Sequence, residues 1–444
     1  MSVRWGLTTG LLLMATLVSS TVATAADTPP ATAGSFKHLG VATCATSVCH
    51  GKQTDQTEHV APGSPVPDVA LNEYKVWLEQ DRHSQAYRTL DAPRSRAIAA
   101  NLGLPSASSA RVCLDCHADN VPRSQQGARF QLSDGVQCEA CHGGAQKWIE
   151  THSQKTTTHA TNIANGMNPT EQPLRRAQVC LSCHLGTADQ YTTHRIMGAG
   201  HPRLAFELDV YSYNQPPHYK SKTDSYIRRK GVIPETNLWV TGQLETAQRY
   251  LSLLQSGLFA AQGLTPELAL YDCFGCHHPI DKLRWSRTRA GAGVQPGTLR
   301  LQRQYFVMLQ AITETLDPKL LPELTADTDA LIQAGDSDYG RTRAAAKVLQ
   351  DWIHARDEWS RRSYSNADIA GLRRALLKYA AQDKTSDFAS AEQVVLGVES
   401  LSYADNEHEK RKSAIDALYN CVGSTAKFDP GQFADVARGL QAQF

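Results

Sequence analysis

Ten of the 11 cysteines in this 444-residue chain fall into five pairs, and a histidine follows each pair at once. Four pairs have the spacing C-x-x-C-H: Cys113 and Cys116 before His117, Cys138 and Cys141 before His142, Cys180 and Cys183 before His184, and Cys273 and Cys276 before His277. The fifth has a longer spacer, Cys44-Ala-Thr-Ser-Val-Cys49-His50. C-x-x-C-H is the attachment motif of c-type haem. Two thiols add to the two vinyl groups on one porphyrin edge, and the next residue must reach the iron. One helical turn puts both sulfurs and the imidazole on the same side, because residues three apart share a helix face. In the longer motif the second cysteine still adjoins the histidine, and the small residues Ala45, Thr46 and Ser47 suit the looped-out spacer. Structural zinc also uses paired cysteines, but it needs four ligands and no histidine after every pair. A redox-active C-x-x-C disulfide belongs in a thioredoxin-like context that is absent here. The expectation is five covalent haem c groups held by Cys44, Cys49, Cys113, Cys116, Cys138, Cys141, Cys180, Cys183, Cys273 and Cys276. His50, His117, His142, His184 and His277 are the proximal iron ligands.

The second axial ligand then decides the chemistry. An imidazole there suits an electron carrier, whereas a vacant position leaves iron open to substrate. Nine of the 11 remaining histidines lie between His38 and His278, within or beside the motif span. His83 lies between Trp77 and Tyr87 at helical spacing, and His152 follows the third motif. His194 and His201 flank a stretch broken by Gly198 and Gly200, which reads as a loop delivering two ligands. These four are expected to bind iron. His59, His159, His218 and His278 are left open as ligands, Met197 is a weaker alternative to its histidine neighbours, and His354 and His408 read as solvated. The motif ending in His277 lies farthest from the clustered histidines, which makes it the candidate for an open iron.

The N-terminus reads as a secretory signal: Arg4, the apolar run Leu7 to Val18, and the small-x-small sequence Ala23-Thr24-Ala25. The run is short of the roughly 20 residues that span a bilayer. The mature chain is therefore expected to begin at Ala26, to lack a transmembrane segment and to work in the periplasm or an equivalent extracytoplasmic space. There, unmodified thiols would be a liability. A formal net charge of +1 gives no support to nucleic-acid binding. Cys421 stands outside the pairs, on an apolar helical pattern with Ile415, Leu418 and Val422. It reads as a buried thiol, with an intermolecular disulfide as the alternative.

Several stretches resemble the cytochrome c-554-type multihaem cytochromes, named for the electron acceptor of hydroxylamine oxidoreductase. They are Gly40 to Gly51, Trp77 to Tyr87, Gly135 to Gly144, Cys180 to Gly186, and His194 to Leu208. The run Ala199-Gly-His-Pro-Arg-Leu-Ala-Phe-Glu-Leu208 is the more specific part. The resemblance implies haems packed in close pairs with bis-histidine ligation, His83, His152, His194 and His201 serving as distal ligands. It also implies that one haem is five-coordinate. The chain departs from that family in having five motifs rather than four and 167 residues after the last.

Little alternating pattern is visible, so the expected fold is mainly α: a haem-packed domain over 26–285 after a signal at 1–25, a Gly/Pro linker at 286–297, and a haem-free helical bundle over 298–444. In the bundle, Tyr305, Met308, Leu309, Ile312 and Leu316 repeat at helical spacing, as do Ile369, Leu372 and Leu376, and Asp429-Pro430 reads as a helix start. The bundle's expected role is to cover the haem core or to join a homodimer. Two functions follow from the motifs. The first is a relay of electrons between redox partner proteins. The second is an oxidoreductase working on a small nitrogen or sulfur compound at one open haem. A filament subunit is a third, weaker reading.

Overall fold

The computed structural model describes residues 36–56, 69–154, 156–221, 223–260, 266–278, 298–335, 338–382 and 385–444. The expected signal and cleavage site, His59 and the expected linker at 286–297 lie outside these residues. The described chain is mainly α, and its β structure consists of the isolated bridges His38–Gln126 and Tyr271–Leu301.

The N-terminal half is built of short helices joined by capped turns. Those that matter for the site are α1 (Glu73–Gln80), α2 (Arg111–His117), α3 (Cys138–His142), α4 (Pro173–His184), α5 (His194–Gly198) and α6 (Leu208–Asn214). Few of their side chains form apolar clusters. One small group joins Leu90, Ala99, Ala107, Leu114 and Ala118, and another joins Ala177, Leu181, Leu208 and Leu238. Buried polar bonds hold this half instead. Glu139, 1% exposed in the spacer of the third motif, accepts backbone N–H bonds from Leu39 (2.8 Å), Gly40 (2.7 Å) and Ala145 (2.7 Å). His38 Nδ1 bonds the Asp119 carboxylate at 2.7 Å, pinning the first described segment beside the second motif. Gly143 ends α3 with φ 79°, and a Cβ there would stand 2.5 Å from the Gly166 carbonyl oxygen, so only glycine fits without displacement.

From α7 (Glu235–Gln255) onward the architecture changes. α7 buries side chains around its whole circumference, among them Trp239, Val240, Leu244, Leu251 and Leu254, as a helix at the centre of a bundle must. After the motif turn α8 (Cys273–Cys276), six long helices and a shorter last one complete the bundle: α9 (Gln304–Leu316), α10 (Leu321–Ala334), α11 (Tyr339–His354), α12 (Asn366–Ala381), α13 (Phe388–Ala404), α14 (His408–Cys421) and α15 (Pro430–Leu440), with α9, α11 and α13 packed directly on α7. One apolar core runs from Trp239 through Tyr271 and Phe274 to Ala437. The last motif is thus seated in this core. Gly397 lets α13 approach α7 and α12, since a Cβ there would lie 3.0 Å from Leu376 and 3.1 Å from Trp239. The expected helical pattern of Tyr305 to Leu316 forms α9, and Asp429 caps α15 by accepting from Gly431 and Gln432. No helix among the described residues is long and apolar enough to cross a membrane.

One buried ion pair ties the bundle together. Arg373 Nη1 lies 2.7 Å from Asp405 Oδ2 and donates to the Leu401 carbonyl at 2.8 Å, with the two side chains 1% and 7% exposed. Removing one partner of such a pair strands the other charge. Asp405→Ala is therefore expected to cost about 3–5 kcal/mol. Urea unfolding followed by far-ultraviolet circular dichroism checks this; a midpoint equal to the parent's would refute it.

Candidate functional site

Each motif occupies a helical turn, as the attachment spacing requires. Cys113, Cys116 and His117 end α2; Cys138, Cys141 and His142 form α3; Cys180, Cys183 and His184 end α4. In α8 His277 closes the turn, its N–H donating to the Cys273 carbonyl at 2.7 Å. The long-spaced motif reaches the same end differently. Its extra residues turn on themselves, with Cys49 N–H donating to Thr46 O at 2.9 Å, and His50 N–H returns to Cys44 O at 3.1 Å.

Every proximal histidine faces a second imidazole from a distant segment. Ring centroids are 6.1 Å apart for His50 and His152, 6.4 Å for His117 and His201, 6.3 Å for His142 and His218, 6.2 Å for His184 and His83, and 6.2 Å for His277 and His194. We number these sites 1 to 5 by their cysteine motifs. Two imidazoles sharing one metal at about 2.0–2.1 Å per Fe–N bond would have centroids about 6.2 Å apart. All five separations fit that spacing. Nδ1 is occupied at five of the ten rings. It bonds Glu73 in His50 (2.8 Å), Asp81 in His83 (2.8 Å), the Ile149 carbonyl in His152 (2.7 Å), the Pro202 carbonyl in His201 (2.8 Å), and both Ala86 O and Thr89 Oγ1 in His117 (3.1 Å each). A metal-binding histidine characteristically donates its other N–H in this way, which leaves Nε2 for the metal. Burial pushes His142 down to about 3 and His184 down to about 4, so both rings are neutral and carry a free lone pair at physiological pH. The residues present therefore fit an iron porphyrin at each site.

The four distal candidates His83, His152, His194 and His201 each face a proximal histidine. The fifth place is taken by His218, one of the four histidines left open above. Its signal in the sequence is weak: a histidine after Pro216-Pro217 in a polar loop. The last motif, the candidate for an open iron, faces His194. His194 and His201 are not on one loop as expected: His194 starts α5, capped by Thr193, and His201 follows the turn that ends it. Other histidines are otherwise engaged. His159 Nε2 bonds Glu171 at 2.6 Å, and His278 packs 5.9 Å from Phe274. His354 is exposed. His408, expected in solvent, instead stacks on Tyr403 at 3.8 Å with its side chain 12% exposed. Met197 lines the cavity beside His194 and His277. Cys421 packs against the bundle core, its thiol donating to the Ala417 carbonyl at 3.5 Å.

The cysteines show how the sites adjoin. Cys44 of site 1 lies beside Cys138 of site 3, and Cys116 of site 2 beside Cys183 of site 4. Gln190 Nε2 bridges the second pair, 3.2 Å from Cys116 Sγ and 3.3 Å from Cys183 Sγ. Site 5 joins site 4 through a cavity of about 390 Å³ that both His184 and His277 line. Its far wall is the bundle: Phe388 and Gln393 of α13 and Tyr305 of α9. Arg203, also on the wall, pairs with Glu392 of α13 at 2.7 Å.

Residues 70–143 match the family model described as Cytochrome c554 and c-prime. That stretch holds His83 and the second and third motifs. No curated protein and no solved structure matches the chain.

Proposed function

We propose, from the match of residues 70–143 to the cytochrome c554 family model, which supports a c-type cytochrome's electron-transfer role with covalently bound haem c, that this chain is an exported five-haem relay between redox partner proteins. The observation that carries this reading is the set of five facing imidazole pairs, one for each Cys-Cys-His motif. When bound, the haems supply the one-electron chemistry. The chain's own residues attach, ligate and order them. Cys44, Cys49, Cys113, Cys116, Cys138, Cys141, Cys180, Cys183, Cys273 and Cys276 form the thioethers. His50, His117, His142, His184 and His277 hold the irons from one side, and His152, His201, His218, His83 and His194 from the other. An oxidoreductase for small nitrogen or sulfur compounds would need one of these second positions open, and an imidazole stands at each. The contacts between motif cysteines support close haem packing. The bundle over 298–444 serves as the outer wall of site 5. The N-terminal signal supports export and cleavage before Ala26.

Two measurements on the mature holoprotein test the reading. Intact mass is expected to equal the chain from Ala26 plus five haems. Electron paramagnetic resonance of the oxidised protein is expected to show low-spin iron throughout. Its signals should divide three to two, because imidazole planes are nearly perpendicular at sites 2, 3 and 4 (87°, 87° and 88°) and nearer parallel at sites 1 and 5 (19° and 33°). Perpendicular planes leave two iron d orbitals nearly degenerate and give strongly anisotropic signals, whereas parallel planes split them. Fewer than five haems, or a stoichiometric high-spin signal, would overturn the relay as described.

A further inference from the structure

Two ligand histidines differ from the rest in what holds their Nδ1. His50 of site 1 bonds Glu73 Oε2 at 2.8 Å, and His83 of site 4 bonds Asp81 Oδ1 at 2.8 Å. At site 2 both Nδ1 atoms meet neutral oxygens. Among the described residues no carboxylate bonds either histidine of sites 2 or 3. Both carboxylates are built in. Glu73, the first residue of α1, also accepts the Leu71 N–H through Oε1 at 3.1 Å, and its side chain is 18% exposed. Asp81, 4% exposed, caps the turn carrying His83 by accepting its N–H at 2.9 Å, while its second oxygen accepts Gln215 Nε2 at 2.9 Å. Gln215 lies on the loop that delivers His218, so one carboxylate fixes ligand segments of sites 4 and 3 together.

We propose that Glu73 and Asp81 are positioning residues that set the order of haem potentials, making sites 1 and 4 harder to reduce than the sites they adjoin. The inference rests on the relay reading above. A carboxylate accepting from Nδ1–H raises the imidazole's basicity at Nε2, and its negative charge sits close to the iron. Both effects stabilise the ferric state over the ferrous state. Sites 1 and 3 adjoin where Gln137 and Glu139 at the third motif hold the backbone of Leu39 to Val41 just ahead of Cys44, and sites 2 and 4 where Gln190 bridges Cys116 and Cys183. Each pair thus contains one carboxylate-bonded haem and one without. A single electron entering a pair rests on site 3 rather than site 1, and on site 2 rather than site 4, reducing one ferric iron to ferrous. Each pair thus holds its electron on a defined member.

The test is an electrode-driven redox titration of the full-chain holoprotein, followed by absorption and electron paramagnetic resonance, for Glu73→Gln, Asp81→Asn and the exposed helix neighbour Glu79→Gln. Glu73→Gln should make one of the five irons about tenfold easier to reduce, an upward shift of about 59 mV for one electron, and the affected signal should belong to the nearer-parallel class of site 1. Asp81→Asn should shift one iron of the perpendicular class. Glu79→Gln should shift none, which separates ligand bonding from surface charge. Five unmoved midpoints in both variants, or equal shifts of all five in any variant, would overturn the proposal. Loss of haem from Asp81→Asn would make that carboxylate a structural group and overturn the proposal at site 4, leaving Glu73→Gln to decide site 1. Failure of the relay reading is distinct: the parent protein would then lack five haems or five low-spin irons.

Discussion

Replacing His218 with alanine is expected to turn one of five low-spin haems high-spin while leaving five haems attached. His218 comes from a loop far from any motif, and its ring lies 6.3 Å from that of His142. The loop is held independently of the iron. Gln215 bonds Asp81, and Tyr219, next to His218, accepts a bond from Arg176 at 3.0 Å and stacks on Tyr226. With the backbone fixed, alanine cannot reach the metal, and water, a weaker-field ligand, takes the position. Attachment depends on Cys138 and Cys141 and is unaffected. The change should appear as a high-spin resonance of one iron and as loss of one perpendicular-class signal. His159→Ala is the control, because its Nε2 already serves Glu171, and it should leave all five irons low-spin. An unchanged low-spin count in His218→Ala would mean that His142 has another partner.

Glu139→Ala is expected to destabilise the haem-binding half strongly. The carboxylate satisfies three backbone N–H groups, of Leu39, Gly40 and Ala145, and almost no solvent reaches it. Leaving a buried donor unpaired costs about 1–3 kcal/mol, so three together should cost at least about 3 kcal/mol. Glutamine keeps one oxygen but turns an NH₂ toward a donor, and Glu139→Gln should fall between parent and alanine. Guanidinium unfolding of the holoprotein, followed at the Soret band, measures the order. Equal midpoints for all three proteins would show that water replaces the carboxylate at no cost.

Glu139 also shows where reading the chain stops. It occupies a spacer position between two attachment cysteines, where nothing local distinguishes it from Leu114 or Leu181's neighbour Ser182. Its role arises because the segment at 39–40 and the turn at Ala145 fold onto it. Glu73 and Asp81 are similar cases. Each lies near a histidine or a motif, but the bond that gives it a role is visible only once the side chains are placed. His83, His152, His194 and His201 were legible as ligand candidates, through their neighbours and through the family resemblance. His218 was not separable from His159, since both are single histidines in polar surroundings. The structure separates them: one faces His142, and the other is spent on Glu171.

The bundle divides in the same manner. The repeat of Tyr305, Met308, Leu309 and Ile312 marks α9, because amphipathic spacing is a local property of the chain. That the apolar core would begin earlier, at Trp239 in α7, and would take in Tyr271 and Phe274 beside the last motif, depended on which buried faces meet.

The sequence by itself determined the attachment chemistry proposed here. Two thiols and an imidazole must lie within one turn to serve one porphyrin, so five Cys-Cys-His motifs state the five proximal halves of the sites. Only the tertiary structure decided the other halves, the pairing of motif cysteines, and the carboxylates behind His50 and His83. Those partners come from segments remote in the chain, and no local spacing rule constrains them. They meet because loops and short helices pack around common centres.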